Sequence, residues 1–226
     1  MPSQSTAMGF SRISGLAAIG FAGLIVLSNV IAVPAGLPLT GAPLSEVNAF
    51  FSTKGGVLGI ASAIVPAAWV LATVFGAGAV SALRRSEQER GEAWSLVGFA
   101  GLALQNATFA GIVATRLALA KDSTASSALW GLHDALFTLN GTFLSLALLG
   151  LSVGGLRAGL IRSWHGTWGL LSGALLFASA TLTPLVIDHA GPLGLLGLAG
   201  WLMWVVWLIT YGITLIHLAP QGQAHL

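Results

Sequence analysis

The chain has 226 residues, of which 55% are hydrophobic and only 7% are charged. Soluble proteins carry roughly 25% charged residues, so this chain cannot cover the surface of a soluble domain, and it is too apolar to be disordered. Its excess of two positive charges forms no basic cluster, which excludes nucleic acid as a partner. Cysteine is absent, which excludes disulfides and thiolate chemistry. The main partner of this protein is therefore the lipid bilayer.

Six stretches of the sequence are long and apolar enough to cross a membrane. The hydrocarbon core of a bilayer requires about 20 apolar residues in a helix, and these stretches do not alternate as the strands of a barrel would. We number them as spans 1 to 6, in chain order 13–33, 56–83, 93–117, 128–151, 167–187 and 193–217. The sequence therefore predicts an all-α, polytopic transmembrane bundle of six helices, in which residues 1–226 form a single domain.

The distribution of basic residues predicts the orientation of the bundle. Basic residues concentrate on the side of the N-terminus, so we expect both termini inside, in a multi-pass protein of the cell membrane, the bacterial inner membrane. The basic residues of this side are Arg12, Arg84, Arg85, Arg90, Arg157 and Arg162. The charged stretch 84–92 is expected to be a solvated connector.

Local signals predict two irregularities and one interfacial residue. The loop between spans 1 and 2 is the longest, and Ser45 is placed to cap a short outer helix that ends at Phe51. Pro66 lies inside span 2 and predicts a kink there. Trp130, near the start of span 4, is expected at the outer membrane interface, where tryptophan is enriched.

Ionisable residues within the spans are the main functional signal of the sequence. Such a residue costs about 2.5–3.5 kcal/mol on insertion scales, so it is a functional hypothesis by default. Arg116 of span 3 and Asp134 of span 4 lie at similar depth near the outer end, because a short link joins the two helices. We expect them to face one interior region and to pair, with His133 beside them.

Two interpretations of this polar layer stay open. In the first, an outward-facing cavity between spans 3, 4 and 5 binds a ligand: His133 and Asp134 handle protons or ligand, and Arg116 holds a carboxylate or an anionic headgroup. Three amide side chains would orient the ligand, namely Gln105, Asn106 and Asn140. In the second, the charged residues form a structural pair, and the amides only make interhelical hydrogen bonds.

Further residues are candidates for completing this binding site. Asp188 and His189 end span 5 on the outer side, and Glu46 lies in the outer loop, although acidic residues and histidines at helix ends are usually just solvated. On span 6, Trp204 and Trp207 share a face with Tyr211 and can form an aromatic wall, or they can simply pack in the core. The five histidines show no zinc-type spacing and no clear pair of haem ligands. We therefore assign no metal, no cofactor and no catalytic residue.

Three segments resemble a loose group of uncharacterised bacterial six-helix integral membrane proteins. They are the outer segment 44–51 (LSEVNAFF), the segment 132–137 of span 4 (LHDALF) and the segment 162–166 before span 5 (RSWHG). The resemblance would cover most of the chain. It implies the fold and no activity.

Three classes of function follow from these observations. The favoured one is binding, with or without transport, of a small molecule or lipid at the outward-facing polar cavity. The second is an intramembrane enzyme that acts on lipid or isoprenoid substrates, with Asp134 as general acid. The third is a non-catalytic subunit of a larger membrane complex or homo-oligomer, in which the polar residues only fix the packing. The first class predicts a solvated cavity, the second predicts a pocket open to lipid, and the third predicts neither.

Overall fold

In this computed structural model of the protein, the structure describes residues 9–121, 127–187 and 192–218. The regular structure of these residues is entirely helical. In chain order the helices are α1 (Phe10–Ala32), α2 (Leu44–Ala63), α3 (Val65–Arg90), α4 (Trp94–Lys121), α5 (Ser127–Arg157), α6 (Ser163–Thr181), α7 (Thr183–Val186) and α8 (Gly194–Ile216).

Five helical stretches in the described residues are long and apolar enough to cross a membrane. They are α1, α4, α5, α8 and the 47-residue stretch that α2 and α3 form together. The helix α6, with 19 residues, does not belong to this set. The prediction of an all-α bundle with helices able to cross a membrane is thus confirmed.

The kink predicted at Pro66 lies at the junction of α2 and α3. The two helices meet at Ile64, and Pro66 occupies the first turn of α3, where the missing N–H of proline costs no hydrogen bond. Near this break, the hydroxyl of Ser28 on α1 donates to the backbone carbonyl of Ala61 at 3.0 Å. A neighbouring helix thus satisfies a carbonyl close to the break, as is usual for broken helices in membranes.

The short outer helix predicted between Ser45 and Phe51 is longer than expected. The helix α2 begins at Leu44 without a side-chain cap and continues to Ala63, so the predicted loop before span 2 is helical. Within this continuous helix, Gly55 packs beside Ala120 of α4. The outer element and span 2 therefore form one continuous structure.

The long helices form a closed ring in chain order. Neighbours in this ring are α1, α3, α4, α5, α6 and α8, and α8 returns to contact α1, while α2 packs on α1 and α4. Large side chains fill the centre of the ring, among them Phe75, Leu148, Leu208 and Tyr211. Many leucines and valines are exposed on the outside, as expected where the solvent is lipid.

Small residues and hydroxyls hold neighbouring helices together. On α4 and α5, Gly98 and Gly150 bring the two backbones into contact, because a Cβ atom at either glycine would collide with the other helix. Ser145 of α5 donates to the carbonyl of Gly173 on α6 at 2.7 Å, and Ser172 of α6 donates to that of Gly200 on α8 at the same distance. Close approach and buried hydrogen bonds replace the hydrophobic effect in this environment.

The charged stretch 84–92 is more ordered than a solvated connector. The helix α3 continues to Arg90 and ends at Gly91, whose φ of 66° lies in the left-handed region that glycine tolerates. Glu87 is buried and accepts hydrogen bonds from the backbone N–H and the hydroxyl of Ser95, at 2.6 and 2.5 Å. Its carboxylate therefore caps the N-terminus of α4, where negative charge is favourable.

We predict that Gly150→Ala lowers the free energy of unfolding by about 1–3 kcal/mol, because the added methyl group separates α4 from α5. Gly131→Ala is the matched control on the same helix, since nothing lies within 4 Å of its Cβ position. It should leave stability unchanged or raise it by about 0.5–1 kcal/mol, as helical glycine is replaced by alanine. Denaturant titration in detergent micelles measures both values. Equal effects of the two substitutions would contradict the close contact.

Candidate functional site

The register of α4 against α5 positions the candidate site. Gly101 of α4 lies against Phe143 and Ala147 of α5, and Gly111 lies against Leu136, so the two helices run antiparallel in close contact. This register continues toward the link between the helices and places Arg116 beside His133. The two helices thus bring together residues that are 17 positions apart in the chain.

Arg116, His133 and Asp134 form a hydrogen-bonded chain, which we call the relay. The Nε–H of Arg116 donates to Nε2 of His133 at 2.9 Å. The Nδ1 atom of His133 lies 3.0 Å from Oδ1 of Asp134. The predicted proximity of the charged residues is therefore found, but the imidazole lies between them and no direct ion pair of Arg116 with Asp134 occurs in the described residues.

The hydrogen bonds of the relay determine the state of the imidazole. A guanidinium nitrogen only donates, so Nε2 of His133 must accept and carries no proton. The proton of the neutral ring is then on Nδ1, where it donates to the carboxylate of Asp134. The relay consequently contains one positive charge, one neutral ring and one negative charge.

Burial makes this balance of charge important. The exposed fractions of His133 and Asp134 are only 3% and 2%. An unpaired charge at such a position would lose its hydration without compensation, which is costly in a low dielectric. The opposite charges of Arg116 and Asp134 at the two ends of the relay reduce this cost. The relay thereby keeps a cation, a neutral imidazole and a carboxylate in one place.

An aromatic stack encloses the imidazole. The ring of Trp130 lies nearly parallel to that of His133, with 4.5 Å between centroids, and the ring of Phe137 is also nearly parallel to it, at 6.1 Å. The guanidinium carbon of Arg116 is 5.8 Å from the centroid of Phe137. Trp130 is buried against the relay. Its expected position at the outer membrane interface stays a prediction.

The loop between α1 and α2, residues 33–43, closes the relay. The backbone N–H of Gly41 donates to Oδ2 of Asp134 at 2.8 Å. In the next residue, the carbonyl of Ala42 accepts a hydrogen bond from Nε1 of Trp130 at 3.2 Å. Gly41 has a φ of 81°, a backbone conformation that favours glycine. Two adjacent backbone groups of one loop thus bind two residues of α5.

The three predicted amide residues lie deeper along the helices than the relay. Gln105 precedes Arg116 by 11 residues, about 16 Å of helix, and Asn140 follows His133 by seven residues, about 10 Å. The side-chain oxygens of Gln105, Asn106 and Asn140 are buried and have no hydrogen-bond partner among the residues described. The expected single polar layer is therefore two levels, a charged one and an amide one.

The remaining predicted residues do not contact the relay. Glu46 is exposed in the first turn of α2. Trp204 and Trp207 are buried in the central core with Tyr211, which agrees with their interpretation as packing residues. Asp188 and His189 lie outside the described residues.

Two cavities in the described part of the chain lie away from the relay. One, of about 420 Å³, is near Arg85, Glu89 and Leu160 at the opposite end of the bundle. The other, of about 470 Å³, lies where the α2–α3 junction faces α4. Neither is lined by Asp134, which the loop of residues 33–43 covers in this conformation.

Sequence reasoning did not identify Gly41, Ala42 and Trp130 as parts of the site. The backbone groups of Gly41 and Ala42 act without any side-chain signal, and only the glycine in a long loop hinted at a special conformation. In the described ranges, no three His, Asp or Glu residues are grouped as metal ligands.

Comparisons with known proteins give no match: no family model, curated protein or solved structure matches the chain. The resemblance to bacterial six-helix membrane proteins stays a prediction.

We predict that Gly41→Ala destabilises the protein more than Gly36→Ala. Both glycines have positive φ, 81° and 92°, so backbone strain of about 1–3 kcal/mol affects both variants. Alanine at position 41 keeps the backbone N–H, but a backbone that relaxes away from positive φ moves this N–H off Asp134, and a hydrogen bond to a charged group contributes a further ~1.5–3 kcal/mol. Unfolding titrations of the two variants in parallel give the difference. Equal losses would show that the loop does not hold the relay.

Proposed function

We propose that the chain crosses the membrane six times, with α2 and α3 as one bent span and both termini inside. The position of α6 supports the sixth crossing. Gly141 and Ser145 of α5 lie against residues 173–180 of α6, and Ser172 of α6 binds Gly200 of α8. Beside two helices that are long enough to cross, α6 has about 28 Å of length for its 19 residues.

We infer that the relay binds a small anionic molecule, or a lipid with an anionic headgroup, together with a proton. The observation that carries this proposal is the buried hydrogen bond from Arg116 to Nε2 of His133. It keeps the imidazole neutral for as long as the guanidinium stays there. A cation, a base and a carboxylate at membrane depth form a functional centre by default.

An exchange of hydrogen-bond partners within the relay couples the binding of the anion to the uptake of a proton. An anion that draws the guanidinium of Arg116 toward itself removes the donor from Nε2 of His133. That nitrogen can then accept a proton, and the resulting imidazolium pairs with the carboxylate of Asp134 at the existing 3.0 Å contact. The centre is electrically neutral before and after this exchange, which is the arrangement that a low dielectric favours.

The loop of residues 33–43 controls access in this proposal. It covers Asp134 through Gly41 and Trp130 through Ala42, so a ligand from the outer side can enter only when these two hydrogen bonds break. Loops that open over a site commonly move in microseconds to milliseconds. Transport would require release of the anion and proton on the other side as well, whereas binding alone does not.

We predict that the purified protein takes up about one proton for each benzoate ion it binds, so binding weakens up to tenfold per pH unit as the pH rises. Calorimetry in buffers of different ionisation enthalpy measures this number. Arg116→Gln should lose binding, and His133→Gln should bind without proton uptake and without pH dependence. The control is Arg12→Gln, since Arg12 is exposed at the start of α1. The same measurement with phosphatidylglycerol vesicles in place of benzoate tests the anionic lipid as the ligand.

Two outcomes would contradict this proposal. If proton uptake is absent in the native protein while benzoate binds, the exchange of partners does not occur. If the double variant Arg116→Met with Asp134→Asn is as stable as the native protein and binds benzoate equally well, the relay serves only packing. That result would favour the function of a non-catalytic membrane subunit. Uptake of labelled benzoate into proteoliposomes under a pH gradient then distinguishes transport from binding.

The proposed six crossings predict which positions of the chain are accessible from outside the cell. Single introduced cysteines can be labelled to test this without background labelling, because the chain has no cysteine of its own. An impermeant maleimide added to intact cells should label Lys54→Cys and Leu185→Cys, but Arg85→Cys and Arg157→Cys only after the membrane is permeabilised. All four positions are exposed in the described structure. If Leu185→Cys and Arg157→Cys label alike, α6 does not cross the membrane.

A further inference from the structure

Trp130 of α5 contacts both the imidazole of the relay and the loop that covers the relay. Its ring and that of His133 are 4.5 Å apart between centroids, and their planes differ by 8°. Its indole Nε1–H donates to the carbonyl of Ala42 at 3.2 Å, a contact that we call the loop bond. Trp130 is only 4% exposed, so one buried side chain joins the titratable group of the site to the loop.

A small apolar core around Trp130 holds the loop and α2 in place. Ala42, Phe51 and Leu119 are buried in this core, which is separate from the central core of the bundle. The rings of Phe51 and Trp130 meet edge to face, with 6.5 Å between centroids. Because Trp130 both packs in this core and makes the loop bond, a change in the orientation of its ring also changes how the loop is held.

The contact between the two rings depends on the charge of the imidazole. A cation over the face of a tryptophan is attracted by the negative face of the ring, most strongly where water is excluded, whereas a neutral imidazole lacks this attraction. The charged side chains that contact His133 in the described structure are Arg116 of α4 and Asp134 of α5, and the loop of residues 33–43 contains no ionisable side chain. A proton taken up by His133 therefore holds the ring of Trp130 more firmly.

The second hydrogen bond between the loop and α5 depends less on this charge. The N–H of Gly41 donates to Oδ2 of Asp134, whereas the imidazole of His133 contacts Oδ1 of the same carboxylate. The carboxylate can keep both partners when the imidazole is charged. The loop bond is therefore the contact through which the charge of His133 acts on the loop.

We propose that Trp130 is a positioning residue that keeps the loop of residues 33–43 closed while the relay holds its ligand and proton. The imidazolium of His133 fixes the ring of Trp130, and the fixed ring keeps its N–H on the carbonyl of Ala42. This inference rests on the proposed function, because it requires His133 to take up a proton when Arg116 turns to an anion. The loop then opens after His133 has lost the proton, so anion and proton stay together until release.

Hydrogen–deuterium exchange of the full-length protein in phosphatidylcholine nanodiscs tests the loop bond without any ligand. Trp130→Phe keeps a ring beside His133 but removes the N–H, so the amides of residues 33–43 should exchange about fivefold faster, the equivalent of one hydrogen bond. Trp168→Phe is the matched control, because it removes an indole hydrogen bond of 3.0 Å to the carbonyl of Met203, between α6 and α8. It should leave the loop unchanged. Equal loop exchange in Trp130→Phe and the native protein would overturn the proposal.

Two treatments charge the imidazole and test its coupling to the loop. Saturating benzoate should slow loop exchange in the native protein several-fold, but not in Trp130→Phe. Arg116→Met removes the donor from Nε2 of His133, so the ring can take a proton without any anion. In this variant, loop exchange corrected for its intrinsic pH dependence should slow as the pH falls, and the addition of Trp130→Phe should abolish the slowing.

The outcomes separate this proposal from the proposed function. If benzoate does not bind but the loop of Arg116→Met slows as the pH falls, the anionic ligand is wrong and the role of Trp130 stands. If benzoate binds with proton uptake but slows the loop equally in Trp130→Phe and the native protein, the proposed function stands and the role of Trp130 is refuted. Loop exchange that responds to neither treatment would also refute it.

Discussion

The contact of the α4 and α5 backbones is the constraint on which the rest of the structure depends. Gly98 and Gly150 allow it, and it determines the level at which each residue of one helix faces the other. Without this register, Arg116 and His133 would lie at different depths and the relay could not form. In lipid no hydrophobic force corrects a helix that slides, so close packing and hydrogen bonds must set the position.

The relay shows how a few charges can be kept within an apolar bundle. Each polar atom at its centre has a partner: guanidinium with imidazole, imidazole with carboxylate, and carboxylate with the backbone of Gly41. This contrasts with the deeper amide oxygens of Gln105, Asn106 and Asn140, which lack partners among the described residues. Buried polar groups without partners cost free energy, so the amide level is less well satisfied than the relay.

Different parts of the fold were predictable to different degrees. The helices followed from apolar length, because a chain in lipid must satisfy its backbone hydrogen bonds internally. The kink followed from Pro66, because a proline lacks the N–H that a helix interior requires. The extent of α2 did not, because the sequence predicted a short helix that ends at Phe51, whereas the helix continues to Ala63. Glu87 read as one of several solvated charges until the chain turned and placed Ser95 beside it.

The sequence by itself determined that this chain forms helices long and apolar enough to cross a membrane, and that Arg116, His133 and Asp134 are the ionisable residues on which the functional hypotheses rest. Composition and spacing suffice for these conclusions, because they depend on contacts along one helix or on transfer into lipid. Only the tertiary structure decided that the imidazole stands between the two charges, and that Gly41 and Trp130 complete the centre. Those features arise from backbone groups and distant helices, and no local pattern encodes which of them will meet.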